Sequence, residues 1–136
     1  MSCIQERNQK KIVRLNKKTY ERLADHIGLF PLVMVSPYDR DLINDGSEVR
    51  RRYIDSVISQ FDRIYLDDLI QYNKALLQRN SLWKTFAENR NFDERSLEIW
   101  DEMLMVRGTS IFEKRSTFIA SFIPTFQKYF EFIYYP

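Results

Sequence analysis

Three consecutive arginines, Arg50, Arg51 and Arg52, stand between a turn and an apolar run. A guanidinium presents a planar fork of donors that suits a phosphate or a carboxylate equally well, or can rest in water. On a helical wheel at about 100° per residue, Arg50 falls on the face of Ile54, Val57 and Phe61, and Arg52 on the opposite side, with Arg51 at the boundary. An unpaired buried guanidinium is very costly. Arg50 is therefore expected to pair with Asp39 or Asp41, and Arg52 to be solvated. Arg51, Arg52, Lys74 and Arg79 are the cations that could meet DNA.

Other chemistries are excluded by counting. The only glycines are Gly28, Gly46 and Gly108, so neither G-x-x-x-x-G-K-[ST] nor G-x-G-x-x-G can be written. His26 is the single histidine, which leaves no histidine metal cage and no Ser-His-Asp triad. No catalytic residue and no metal ligand stands out. Cys3 is the only cysteine and cannot form an internal disulfide, which fits a reducing cytoplasm. The net charge of +2 is too small to argue nucleic-acid binding in bulk. Arg7, Lys10, Lys11, Arg14, Lys17, Lys18 and Arg22 do crowd the first segment, against Glu6 and Glu21. No apolar stretch reaches the about 18 residues of a membrane span.

With 44% hydrophobic and 29% charged residues, the 136-residue chain has the composition of one folded domain. The elements that must position the arginines read as α+β. "KKIVRLNKK" predicts a strand ending in a turn at Asn16-Lys17-Lys18, paired with Met1–Arg7. "TYERLADHIG" predicts a short helix, capped by Thr19 and ended by Gly28 in the left-handed region. "LFPLVMV" reads as a buried strand, with Pro31 at its start or edge. From Ser36 the pattern turns helical. Ser36 caps a short helix with Pro37 in first position. Asp45-Gly46 makes a turn, and Ser47 caps a helix carrying Tyr53, Ile54 and Val57. A third helix runs from about Arg63 to about Ala87. Asp93 caps a final one, with a kink or break expected near Pro124. In the third helix Leu66, Asn73 and Asn80 recur every seventh residue, and Leu69, Leu76 and Trp83 form a parallel row. This predicts a coiled-coil-like seam with asparagines at its centre, closed within the chain or between chains.

The stretch "LFPLVMVSPYDRDLINDGSEVRRRYIDSVISQ", then "YLDDLIQYNKALLQRNSLWK", resembles RecF, the ATPase family of bacterial recombinational DNA repair related to SMC and ABC ATPases. The family order is an S-P-x-D turn (Ser36, Pro37, Asp39), a short L-I element (Leu42, Ile43), an E-x-R-R-R helix (Glu48, Arg50, Arg51, Arg52) and a Y-N-x-x-L-x-Q-R-N helix (Tyr72 to Asn80). "LEIWDEMLMVRGTSIFEKRSTFI" is similar to a later family segment, and "HIGLFPLVMVSPYD" has the flavour of the Bacteroides-type branch. The family's phosphate loop, signature motif and Walker B acid are not in this sequence. The resemblance therefore implies an internal excerpt: residues 1–36 as the end of the first head lobe, and 37–136 as a helical lid domain. It implies a parent that binds ATP and Mg, dimerises on ATP, recognises DNA at single-strand/double-strand gap junctions, and helps RecO and RecR load RecA. It implies that the excerpt neither holds nor hydrolyses ATP by that route and binds DNA weakly. Ser36, Tyr38 and Asp39 would lie near a loop coupling nucleotide to lid. The rival reading is a helix-pairing module for another protein, with no DNA role of its own.

Overall fold

The computed structural model describes residues 2–5, 7 and 12–134. The chain forms two compact units, Met1–Phe61 and Asp62–Pro136.

The first unit opens with a three-stranded antiparallel sheet. β1 (Ser2–Ile4) pairs with β2 (Ile12–Leu15), Cys3 facing Val13, and β2 pairs with β3 (Lys18–Thr19), Arg14 facing Thr19. Asn16 and Lys17 both take positive φ, 50° and 69°. A two-residue hairpin loop with both φ positive matches the twist of its strands, so the predicted turn forms here. Thr19 belongs to β3, and the predicted helix after it shrinks to one 3-10 turn, Leu23–His26. Gly28 does enter the left-handed region, at φ 85°. A Cβ there would lie 2.3 Å from the Gln60 carbonyl oxygen, so the site excludes any side chain.

Leu29–Val35 is not the buried strand that its composition predicts. It forms no strand, and Leu32, Val33, Met34 and Val35 are 72–89% exposed. Strand propensity measures fit to a pleated, partnered surface. This run has no partner strand among the described residues; the Leu32 N–H donates to Gln60 Oε1 at 3.0 Å instead. Next come a 3-10 turn at Pro37–Arg40, α1 (Asp41–Asn44) and α2 (Ser47–Ile58). Ser36 caps the 3-10 turn as expected, with Pro37 in its first turn. Gly46, not Ser47, occupies the cap of α2.

The second unit is an antiparallel pair of long helices, α3 (Arg63–Asn89) and α4 (Arg95–Tyr134). Asp62 caps α3, its Oδ1 accepting from the Tyr65 N–H at 2.8 Å. Arg90, at φ 49°, ends α3 in the left-handed region. Asp93 Oδ1 accepts from the Arg95 N–H at 3.1 Å and opens α4. α4 runs through Pro124 without the expected break. The proline costs one N–H bond and presses on the carbonyl four residues back, about 3 kcal/mol. The unbroken hydrogen bonding on both sides of Pro124 in a 40-residue helix outweighs it.

Candidate functional site

The arginine triplet divides by reach. Arg50 is exposed and does not pair with Asp39 or Asp41, contrary to expectation. Its Nη1 donates to the carbonyls of Leu42, at 3.1 Å, and Asp45, at 2.9 Å. Carbonyls at a helix C-terminus have no partner within the helix and carry the negative end of its dipole, which a guanidinium satisfies. The wheel failed because the face it placed inward is only partly covered: Phe61 is 68% exposed. Arg51 donates to Ser47 Oγ at 2.8 Å, and Arg52 pairs with Glu48 one turn back, both in solvent.

Asp39 is engaged elsewhere. Its Oδ2 accepts from the Ser36 N–H at 2.8 Å, while Ser36 Oγ accepts from the Tyr38 N–H at 3.2 Å. This reciprocal capping closes the turn on itself. Ser36 and Asp39 thus set its shape, and Tyr38, 74% exposed, is the aromatic side chain it presents to solvent.

The seam between α3 and α4 has the predicted heptad period but a different phase. Asn73 and Asn80 are exposed, as is Leu76, and Leu69 is half-buried. The inward line is Tyr65, Asp68, Tyr72, Ala75, Arg79, Leu82 and Phe86, in steps of three and four. Tyr65 and Ala75 have no exposed surface, and Leu66 beside them has 7%. From α4, Leu97 and Ile111 are buried, and Leu104 and Phe118 half-buried, at a spacing of seven. Gly108 leaves room for the Tyr72 ring; a Cβ there would sit 3.3 Å from Tyr72 Cε2.

Polar groups fix which residues meet across the seam. Asp68, 3% exposed, accepts from Arg107 Nη1 on one oxygen and from Ser110 Oγ on the other, both at 2.7 Å. A buried carboxylate persists only when paired and hydrogen-bonded, and both its oxygens are. Tyr65 Oη accepts from Arg115 Nε at 3.1 Å. Lys114 pairs with Asp62 at 2.7 Å. Burial pushes the Asp62 carboxyl up. The Lys114 hydrogen bond, the Tyr65 N–H and the Lys114 charge outweigh that, and its pKa lies below the ordinary value. Further along, Arg79 pairs with Asp101 and lies over the Trp83 ring, 5.8 Å from its centre. Arg79 is thus held within the seam, whereas Lys74 points to solvent.

The sequence reading missed Asp68, Arg107, Ser110 and Asp62. The available signal was chemical: Asp62, Asp68 and Arg79 along α3 and its cap meet Lys114, Arg107 and Asp101 of α4, opposite charges in an order that runs opposite along the two helices. Among the described residues no three metal-capable side chains converge, and no helix is long and apolar enough to cross a membrane.

No protein-family model matches the chain. Curated relatives do. The DNA replication and repair protein RecF of Phocaeicola vulgatus is 56% identical over 131 residues, 96% of this chain and 34% of the relative. RecF of Flavobacterium johnsoniae is 53% identical over 124 residues, and RecF of Bacteroides fragilis 50% over 131. The chain thus spans about a third of the length of the curated relatives it matches. A solved structure of the recombination mediator protein RecF-ATP in the RecFOR pathway superposes with a TM-score of 0.77 at 37% identity, covering 83% of this chain and 30% of that one. Its RecF-ATPrS counterpart gives 0.76. The likeness to RecF carried by the motifs therefore extends over nearly the whole chain, in fold as well as in sequence.

Proposed function

We propose that this chain serves as the helical lid, with the adjoining end of the head lobe, of a RecF-type DNA replication and repair ATPase. The observation that carries the reading is 56% identity sustained across 96% of the chain. Residues 1–36 are assigned to the head lobe and 37–136 to the lid. By likeness to the family, the whole protein binds ATP and Mg and dimerises on ATP. It engages gap junctions in DNA and works with RecO and RecR to load RecA in the cytoplasm. In this reading the chain contributes no phosphate loop for the nucleotide. Its contribution is a stiff helical arm whose register is held by Asp68, Arg107, Ser110 and Lys114. In this reading Ser36, Tyr38 and Asp39 lie near the loop that couples nucleotide to lid, with Tyr38 projecting from the turn that the other two lock.

Arg51, Arg52 and Lys74 are exposed cations that suit phosphate contact. A few scattered cations give weak binding that falls steeply with salt. A second reading, a protein-pairing module with no DNA role, is favoured by one observation. Phe118, Phe122, Phe126, Phe130 and Tyr134 follow every fourth residue with ring centres 5.4–6.3 Å apart, stacked except for the tilted Phe122–Phe126 pair, and the last four are 42–67% exposed.

A segment exchange tests the proposal. This chain replaces the matching third of Phocaeicola vulgatus RecF, and the chimera is placed in a strain lacking its own RecF. The expected result is restored survival after ultraviolet damage. A chimera that accumulates as folded protein, binds ATP and yet restores nothing would refute the assignment.

A further inference from the structure

The turn end of the α3–α4 pair carries a groove that no role above uses. Trp83 and Phe86 of α3 and Phe92 of the connecting turn meet at 5.5–6.2 Å between ring centres. The cluster is only half covered: Trp83 is 43% exposed, Phe92 57% and Met105 67%. Trp83, Phe92 and Met105 line a space of about 410 Å³, and Glu94, Glu98 and Glu102 stand along it.

The three acids follow every fourth residue and so form one row. Glu94 and Glu98 lie at the N-terminal turn of α4, where the helix dipole favours carboxylates in any case. Glu102 lies one turn beyond Glu98, about two turns from the start of α4 and beyond the reach of that effect. Like charges four apart weaken a helix slightly, and none of the three has a cation partner among the described residues. The neighbouring edge of the same groove shows what would neutralise them. There Arg79 lies over the Trp83 ring and meets Asp101. An aromatic face combined with a carboxylate is the arrangement a guanidinium prefers, by stacking and by charge.

We infer that this groove docks a basic segment of a partner protein. An arginine of the partner seats by Trp83 and meets Glu98 and Glu102, and an apolar neighbour covers Phe92 and Met105. The acid row repels nucleic acid, so this tip is a protein-binding surface rather than a DNA contact. This goes beyond the proposed lid role and does not depend on it.

Fluorescence anisotropy of labelled peptides titrated with the full chain tests the inference. The probes are a peptide alternating arginine with leucine, its glutamate–leucine counterpart, and a single-stranded oligonucleotide. The arginine peptide is expected to bind and the other two to bind far more weakly. Glu98→Lys with Glu102→Lys, and separately Phe92→Ala, should each weaken binding by about tenfold or more, as loss of a charge pair or an aromatic anchor does. Circular dichroism checks that each variant stays helical, and Glu98→Gln with Glu102→Gln serves if the reversal unfolds the tip. Absence of arginine-peptide binding at millimolar protein would overturn the inference, as would equal binding of both peptides. Charge variants that bind like the parent would also overturn it. Loss with the charge variants but none with Phe92→Ala would replace the groove by a nonspecific acidic surface.

Discussion

Removing Arg107 should cost far more than its half-exposed position suggests. Its side chain is 44% exposed, but its partner Asp68 is 4% exposed at the side chain and has one oxygen on Arg107. Arg107→Met keeps the aliphatic stem and strands the carboxylate with only the Ser110 hydroxyl. Breaking a buried pair by removing one partner costs about 3–5 kcal/mol. Water already reaches the guanidinium, so about 3 kcal/mol, the low end of that range, is expected. Ser110→Ala removes one hydrogen bond to a charged acceptor and leaves the ion pair, for about 1.5 kcal/mol. The double variant Asp68→Leu with Arg107→Met should recover most of the loss, because an apolar pair carries no desolvation penalty. Urea unfolding followed by far-UV circular dichroism gives the three values. If Arg107→Met costs no more than Ser110→Ala, or if the double variant is no more stable than the single one, then Asp68 is not the buried anchor of the seam.

Ala75, with no exposed surface, should reject a larger side chain: Ala75→Leu is expected to lose about 1–3 kcal/mol by overpacking. Asn73→Ala and Asn80→Ala, on the exposed side, should stay within about 0.5 kcal/mol in the same melts. Arg50→Ala should lower stability by about 1 kcal/mol through its two carbonyl bonds, and Arg52→Ala by less than about half of that; thermal unfolding of the two variants ranks them. Asp62→Asn keeps an N-cap and removes the Lys114 pairing. The Asp62 carboxyl is depressed in the folded state, so its stabilisation is present above the ordinary value of 3.8 and lost as pH falls through the lower folded value. The gap between the parent and Asp62→Asn should hold steady at neutral pH and close below about pH 3.8, read from urea midpoints across pH.

Local chemistry was legible in the sequence, and pairing was not. Ser36-Pro37, Asn16-Lys17 and Asp93 each act through their own backbone or that of the next few residues. No distant partner is needed, so the sequence alone places them. The seam period was legible too, because seven residues per two turns follows from helix geometry. Its phase was not. The reading placed the largest apolar and amide side chains inward, whereas the helices meet along Asp68 and Arg79 with Ala75 between them. Acids and arginines can occupy such a line only when the facing helix offers their counterparts, and Arg107, Ser110 and Asp101 do. An amphipathic wheel treats one helix at a time and cannot see that exchange. The same limit explains Leu29–Val35 and Arg50. A β-prone run forms a strand only where a neighbour accepts its hydrogen bonds. An arginine on a nominally apolar face needs a carboxylate only if that face is covered, and here backbone carbonyls at the end of α1 were closer. The errors thus share one cause. Single-chain patterning fixes which face could be buried, while the partner decides which face is.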